Sequence, residues 1–306
     1  MPRSAYVVSQ DLRLLLDRWT LARFGRTIAL PYEQIRTRLA EILAFADHDV
    51  VMITEEAMSG AIADRLRDDP RPIVSVDPVY RPGDFMVHVT RCVRDDHTDV
   101  PGLHPRPGYA DLEAQFGTLA SALGVNGIEV PVTLVDDVVY SGDVVKFLIT
   151  SLRPHGIRVE RVVCGIAVVQ NEEKDPFKLC RGLDAELLAG FVFGTFDTPK
   201  AVDEICERDF FVFVPMCGRS AVSNEVNLGY PYIEPFGDAY NWASFEEHAP
   251  AVSRQLIELN VRVLEMIEAQ LGRDLLFSDL DRYPVRVRHP DVAGDSVRLH
   301  LLAHLG

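Results

Sequence analysis

Two neighbouring carboxylates, Asp136 and Asp137, directly follow a run of apolar and β-branched residues, and a Ser141-Gly142 pair comes shortly after them. The run 132–135 predicts a buried strand, and the run 144–152 predicts an amphipathic helix. Carboxylates accept hydrogen bonds from hydroxyl groups, and backbone N–H groups at a helix N-terminus bind anions. Because open α/β sheets bind ligands at the carboxyl ends of their strands, this pattern fits a sugar phosphate.

This stretch resembles the phosphoribosyl pyrophosphate (PRPP) motif of the type I phosphoribosyltransferases. That motif is an apolar strand, two acidic residues, two apolar residues, one variable residue and then Thr/Ser-Gly-any-Thr/Ser. The matching residues here are Asp136, Asp137, Val138, Val139, Ser141 and Gly142. The resemblance implies that Asp136 and Asp137 act at the catalytic centre by contacting the ribose hydroxyls. It also implies a substrate-binding loop that holds the 5′-phosphate, formed by Val138, Val139, Tyr140, Ser141, Gly142, Asp143 and Val144.

The resemblance further implies a magnesium ion, bound together with PRPP. Asp136 and Asp137 are the predicted metal ligands. Two other acidic residues, Glu55 and Glu56, follow an upstream strand and could reach pyrophosphate only through such an ion. We interpret them instead as solvated loop carboxylates, since most surface charges have no specific role.

The junction after that upstream strand helps to bind pyrophosphate in the family. Here it contains Ser59 and Gly60, which are predicted to provide backbone donors ahead of a short helix at 61–67. Small residues suit this role because they let a backbone approach an anion closely.

The least structured stretch is predicted at 91–108, which is rich in Pro and Gly. A long loop inside a domain is either functional or disordered, and in the family a loop from a comparable place closes over PRPP. Arg91, Arg94 and Arg106 are therefore candidates for pyrophosphate contacts. The alternative interpretation is a solvated loop whose arginines are incidental.

These residues are positioned by elements that the apolar pattern predicts. Helices are predicted at 5–22, 31–46, 109–123 and 144–152, and strands at 49–54, 73–76, 85–90 and 161–169, besides the motif strand. Strands and helices that alternate at short spacing predict an α/β fold with a doubly wound, mostly parallel sheet of phosphoribosyltransferase type. The predicted division is an N-terminal helical segment (1–46), a core (47–215) and a C-terminal extension (216–306).

Beyond residue 170 the resemblance ends. Strands are predicted at 191–194 and 210–214, with a helix at 199–207 between them. The aromatic stretch 227–245 could stack a planar base or could simply pack on the core. The run 252–271 predicts a long amphipathic helix that either packs on the core or contacts a second copy in a homodimer.

Composition excludes several classes of partner. The chain of 306 residues has 46 acidic and 31 basic residues, a net charge of −15, and an ordinary 47% hydrophobic content. An acidic surface argues against a nucleic-acid partner, and the sequence lacks an apolar run long enough to span a membrane. Five scattered cysteines without a CxxC pair, and a start that predicts a charged helix rather than a signal segment, favour a cytoplasmic protein.

The sequence thus predicts a pentosyltransferase that transfers phosphoribosyl from PRPP to a nitrogen acceptor, such as a nucleobase or related heterocycle, and releases pyrophosphate. Val144 stands where a second hydroxyl residue is usual, and Asp143 brings a negative charge beside the phosphate. These two departures favour an alternative, a non-catalytic PRPP- or nucleotide-binding regulator on the same fold. A further alternative is another magnesium-dependent nucleotide enzyme with Asp136 and Asp137 as metal ligands.

Overall fold

Apolar runs of the chain form parallel strands, and amphipathic runs form helices that cover them. The computed structural model describes residues 5–44, 49–94, 96–194, 202–221, 228–284 and 292–305. Its strands and helices, in chain order, are β1 (Ala5–Ser9), α1 (Leu12–Phe24), α2 (Tyr32–Leu43), β2 (Asp49–Ile53), α3 (Glu55–Leu66), β3 (Ile73–Ser75), β4 (Phe85–Met86), β5 (Val89–Val93), β6 (Asp99–Pro105), α4 (Leu112–Ala122), β7 (Val130–Val139), α5 (Asp143–Leu152), β8 (Ile157–Val168), α6 (Pro176–Gly182), β9 (Glu186–Phe193), β10 (Val202–Cys206), β11 (Arg219–Ala221), β12 (Leu228–Gly229), α7 (Ala239–Trp242), α8 (Ala249–Leu271), β13 (Tyr283–Pro284) and α9 (Val297–Leu302).

The motif strand β7 lies at the centre of a parallel sheet with the strand order β4-β3-β7-β8-β9. Helices cover both faces. Leu148 of α5 packs with Leu134 on one face, and Met58 of α3 packs with Val135 on the other. Gly190 allows α3 to approach closely, because a Cβ at that position would lie 2.4 Å from the Cβ of Ala61. The predicted mixed α/β architecture with mostly parallel strands is therefore present.

A second parallel sheet, in the order β10-β1-β2, differs from the sequence prediction. The segment 5–9 was predicted as part of a helix but forms β1, and 202–206 was predicted as helical but forms β10. Tyr6, Val7 and Val8 are fully buried. A short apolar run buried on every side has no periodicity that separates a strand from a helix.

The third sheet is mixed, in the order β13-β12-β11-β5-β6. Its β5 and β6 form an antiparallel hairpin, so the stretch 91–108 is largely ordered and the prediction of a long loop is wrong. Pro101, Gly102 and Pro105, three of the residues that suggested a loop, lie on β6, which is the edge strand of this sheet, and Pro107 and Gly108 follow it. An edge strand tolerates proline because one of its sides makes no ladder hydrogen bonds.

The apolar run 210–214 was predicted as a strand but belongs to none of the described sheets. A 3-10 turn, Glu207–Phe210, leads into this run, and the side chains of residues 210–214 are fully buried. The backbone is satisfied by side chains instead, since Val212 N–H donates to Asn260 Oδ1 at 2.9 Å and Arg282 Nη2 donates to the Phe211 carbonyl at 3.0 Å. Burial therefore accounts for the apolar pattern without a strand.

The predicted C-terminal helix is present as α8, which packs against α2 and α9 within the chain. One apolar cluster joins Leu39, Met58 and Leu264, which come from all three predicted segments. Among the described residues, no helix combines the length and the apolar character needed to cross a membrane.

Candidate active site

The three sheets meet around a cleft of about 320 Å³. The carboxyl end of β7 and the strand β10 both line the cleft. Residues from β5 and β11, Arg106 after β6 and the segment 241–244 line it too. Because β7 and β10 are both strands of parallel sheets, this is the edge at which such sheets bind ligands.

Asp136 and Asp137 both line this cleft, although β7 continues through them to Val139. The pair is held rigidly by its own backbone. Asp137 N–H donates to Asp136 Oδ1 at 2.9 Å, and Val138 N–H donates to Asp137 Oδ1 at 2.8 Å. Asp136 is buried and Asp137 is partly exposed to the cleft.

Arg208, which the sequence analysis did not single out, lies against this pair. Its Nη2 donates to Asp137 Oδ2 at 3.0 Å, and its Nη1 donates to Asp11 Oδ2 at 2.6 Å. A charged triplet, Glu207-Arg208-Asp209, follows β10 directly and was the available signal, but the predicted helix at 199–207 concealed the end of a strand there. Arg208 thus connects the acidic pair to the start of α1.

These contacts divide the acidic pair electrostatically. Burial, followed by the charge of Asp137, raises the pKa of Asp136 well above its usual value. Burial also opposes ionisation of Asp137, but the Arg208 guanidinium and hydrogen bonds outweigh it and lower the pKa of Asp137. Asp137 is therefore the carboxylate that stays ionised, and Asp136 is the one that retains a proton more readily.

Two further carboxyl groups respond to the same charge. Burial, with the Asp137 charge second, raises the pKa of Asp77 to about 6 and that of Glu204 to about 8. Glu204 lines the cleft, and its Oε1 accepts a hydrogen bond from Ser9 Oγ at 3.0 Å. The cleft and its surroundings therefore contain acidic groups whose charge is partly neutralised by protons and by Arg208.

Three arginines also line the cleft, and we call Arg91, Arg106 and Arg219 the basic wall. Arg219 is buried, pairs with Asp99 at 2.6 Å, and places its Cζ 3.6 Å from the centre of the Trp242 ring. Arg91 is its register partner on β5. Arg106 Nη1 donates to the Cys217 carbonyl at 3.3 Å. Arginine binds phosphate and carboxylate groups well, so this wall suits an anionic ligand.

The predicted phosphate loop turns at Gly142, whose φ of 77° lies in the left-handed region and which caps the N-terminus of α5. Ser141 Oγ donates to Asp143 Oδ2 at 2.8 Å, so the predicted phosphate-binding hydroxyl is turned towards a neighbouring carboxylate. Tyr140 and Val144 line the cleft beside Val138, whereas Val139 is buried in the sheet. Ser141, Gly142 and Asp143 lie outside the lining of the cleft.

The other predicted contacts lie away from the cleft. Helix α3 begins at Glu55 rather than at residue 61, so Ser59 and Gly60 are inside a helix and their junction is not a loop. Arg94 is exposed and donates to Thr98 Oγ1 and to the Asp99 carbonyl. Glu55 is not a solvated carboxylate, as it is buried and bonded to Arg36 and Arg13.

The predicted metal ligands are already engaged. Within the described ranges, no group of three or more His, Cys, Asp and Glu side chains is placed to hold a metal ion. Asp137 Oδ2 accepts from cationic Arg208, and the Oδ1 atoms of both carboxylates accept backbone N–H groups. Magnesium needs near-octahedral oxygen ligands, so direct coordination by both carboxylates does not fit this arrangement.

Known structures that resemble the chain are orotate phosphoribosyltransferases. The enzyme of Mycobacterium tuberculosis in complex with PRPP is 11% identical, the match covers 60% of this chain and 91% of that chain, and the TM-score is 0.25. The same enzyme with inorganic phosphate is 9% identical over 44% of this chain and 68% of that chain, with a TM-score of 0.24. The enzyme of Aeropyrum pernix is 14% identical, the match covers 53% of this chain and 71% of that chain, and the TM-score is 0.23.

No family model matches the chain, and no curated protein matches its sequence. Likenesses as low as those to the orotate phosphoribosyltransferases do not assign the chain to a family. The residues of the cleft are therefore the basis on which a function can be proposed.

Proposed function

We propose that the chain is a phosphoribosyltransferase-like enzyme that binds PRPP in this cleft and transfers its phosphoribosyl group to a nitrogen acceptor. The observation that carries the proposal is that the acidic pair and the basic wall line one cleft, which includes the carboxyl end of β7. A ligand with vicinal hydroxyls at one end and a pyrophosphate at the other matches such a division of charge.

In this proposal Asp136 and Asp137 accept hydrogen bonds from the ribose hydroxyls. The 5′-phosphate lies beside Val144, the residue of the first turn of α5 that lines the cleft, and the basic wall receives pyrophosphate. The acceptor nitrogen attacks C1 of the ribose while the bond from C1 to the pyrophosphate oxygen breaks. Pyrophosphate leaves with the bonding electrons, and the nitrogen loses its proton. The contribution of the protein is positioning and stabilisation of the leaving charge.

Magnesium fits this proposal as an ion that enters with PRPP. Magnesium usually keeps several waters and contacts substrate phosphates, where it neutralises charge. Asp136 and Asp137 then bind the sugar and not the ion, in agreement with their existing hydrogen bonds.

The acceptor would lie against the aromatic residues of the cleft. Tyr232 and Trp242 line it, whereas Tyr230 and Phe236 are buried in the core and Tyr240 is exposed. Aromatic rings bind planar heterocycles by stacking, so a nucleobase or a related nitrogen heterocycle is the proposed acceptor class.

Titration calorimetry with PRPP and Mg²⁺, followed by a pyrophosphate-release assay over nucleobases and related heterocycles, tests the proposal. We expect saturable binding that Asp137→Asn weakens, and release of pyrophosphate with at least one acceptor. Absence of PRPP binding by the wild-type protein would contradict the proposal and favour a different nucleotide enzyme.

A non-catalytic PRPP- or nucleotide-binding regulator is the second candidate. It is favoured by Val144, which stands where a second hydroxyl residue is usual, and by Asp143, whose carboxylate accepts a hydrogen bond from the Ser141 hydroxyl at 2.8 Å. Binding of PRPP without pyrophosphate release with any acceptor would support this candidate over the enzyme.

A further inference from the structure

Arg208 occupies an unusual position for a buried cation, because it bridges two segments of the chain and also lines the cleft. Its side chain is 5% exposed, and it holds Asp11 at 2.6 Å and Asp137 at 3.0 Å. Its backbone N–H also donates to Asp11 Oδ1 at 2.9 Å. Both ends of the Asp11 carboxylate are thus bonded to one residue, which fixes the direction of the guanidinium.

A second buried arginine at the same edge of the fold provides a comparison. Arg36 donates to Glu55 Oε1 at 2.6 Å and to Glu207 Oε1 at 3.3 Å, so it also joins two buried carboxylates. Arg36, Glu55 and Glu207 do not line the cleft, whereas Arg208 and Asp137 do. An arginine can therefore join two buried carboxylates in this protein without lining the cleft, as Arg36 does.

The bond to Arg208 leaves part of Asp137 available. A carboxylate offers about four lone-pair positions. Asp137 uses Oδ1 for the Val138 N–H, and Oδ2 for Arg208 and for the Cys206 thiol at 3.9 Å. A position left on Oδ1 can accept a hydroxyl group from the cleft, where the Asp137 side chain is 16% exposed. Because both oxygens are already bonded, the plane of the carboxylate is set before any ligand arrives.

We propose that Arg208 is a positioning residue for sugar recognition, which orients the Asp137 carboxylate towards the hydroxyl groups of the bound sugar phosphate. The inference rests on the proposed function, since it concerns the same cleft. The role requires the forked guanidinium, because two carboxylates on different segments must be held at once. A lysine keeps the positive charge but presents a single point of charge on a flexible chain.

The test separates orientation from charge. Arg208→Lys and the matched control Arg36→Lys are compared with the wild-type protein by calorimetry, with PRPP and with pyrophosphate as ligands, each with Mg²⁺. Pyrophosphate has no sugar, so it reports the basic wall alone. We expect Arg208→Lys to weaken PRPP binding about tenfold and to leave pyrophosphate binding unchanged, because only the sugar contact depends on orientation. Arg36→Lys should leave the binding of both ligands unchanged.

Unchanged PRPP binding in Arg208→Lys would overturn the inference, and so would equal weakening of PRPP and pyrophosphate. If Arg208→Lys does not fold, as judged by circular dichroism, Asp11→Asn replaces it, since that change removes the charge that holds Nη1 and leaves Arg208 in place. The same selective loss of PRPP binding is expected, and its absence overturns the inference. If the wild-type protein binds pyrophosphate but not PRPP, the proposed function fails and the inference fails with it. Normal PRPP binding in the wild type and in Arg208→Lys defeats the inference alone.

Discussion

Two buried arginine bridges lie side by side at the carboxyl edge of the sheet β10-β1-β2 and differ in what they face. Two consecutive residues after β10 belong to different bridges. Glu207 accepts a hydrogen bond from Arg36, whereas Arg208 donates to Asp11 and Asp137. The first bridge joins Arg36 of α2 to Glu55 of α3 and to Glu207 of the 3-10 turn after β10, and none of these residues lines the cleft. The second bridge opens onto the cleft through Asp137. Similar ion-pair chemistry therefore serves the fold in one place and, in our proposal, ligand binding in the other.

Replacement of either arginine should have the largest effect on the free energy of unfolding. The two variants together test whether the two bridges contribute equally to the stability of the fold. Arg36→Met leaves Glu55 and Glu207 with fewer partners, and Arg208→Met leaves Asp11 and Asp137 without a cation. Breaking a buried pair in this way costs about 3–5 kcal/mol, so each variant should lower the free energy of unfolding by that amount. Urea denaturation measures it. A loss of less than about 1 kcal/mol in one variant would show that its bridge is not a buried pair in solution.

Neutralising one carboxylate of each bridge should separate their functions. Asp137→Asn removes a charged acceptor from the cleft and should weaken PRPP binding by about 10- to 150-fold, which corresponds to 1.5–3 kcal/mol. Glu207→Gln removes a charge from the enclosed bridge and should change the dissociation constant less than about twofold. Calorimetry on both variants decides the matter. Equal effects on PRPP binding would remove the distinction between the bridges.

Glu204 lines the cleft and has no arginine partner among its described hydrogen bonds. We therefore expect its ionisation to lower the free energy of unfolding as the pH rises. Burial raises its pKa from the usual 4.5 to about 8. The folded state therefore binds the Glu204 proton more tightly than the unfolded state does. The contribution of this proton to the free energy of unfolding is complete below about pH 4.5 and is lost as the pH rises through about 8. Stability should decline in this window by on the order of 1 kcal/mol per pH unit, and Glu204→Gln should flatten the decline. Unfolding curves between pH 5 and pH 9 measure it, and an unchanged slope in the variant would contradict the assignment.

The smallest effect is expected at Arg219, whose carboxylate partner is on the surface. The Asp99 side chain is 53% exposed, unlike the partners of the two bridges. Exposed pairs contribute about 0–1 kcal/mol, so Asp99→Asn should lower the free energy of unfolding by less than about 1 kcal/mol. The stacking of Arg219 on Trp242 should hold the guanidinium in place. A loss comparable to that of Arg208→Met, measured in the same urea series, would place Arg219 among the buried bridges.

Local pattern was enough to predict the elements around the motif. The strand through Asp136 and Asp137, the turn at Gly142 and the helix α5 follow from an apolar run, a residue that tolerates a positive φ, and an amphipathic run. The same reasoning predicted α8 from its apolar stripe. These elements are determined by interactions between residues that are close in the sequence, which is why a single sequence reveals them.

The sequence reasoning assigned the wrong secondary structure to several segments that contribute to the buried core. The segment 202–206 contains Asp203 and Glu204, which are only half-buried, yet it is a strand. The segment 210–214 is apolar and fully buried, yet it is irregular backbone held by Asn260 and Arg282. The hairpin of β5 and β6 was hidden because its edge strand carries residues typical of loops. An apolar pattern reports burial and does not report which hydrogen bonds the backbone makes.

The sequence by itself determined that an acidic pair lies near the carboxyl end of a strand of a parallel sheet and that a turn and a helix follow that strand. Only the tertiary structure decided which groups face that pair. Arg208 is 71 positions from Asp137 and 197 positions from Asp11, and the basic wall comes from a different sheet. Contacts over such separations depend on how sheets pack and on which strands pair, and the local periodicity of one chain carries no record of either.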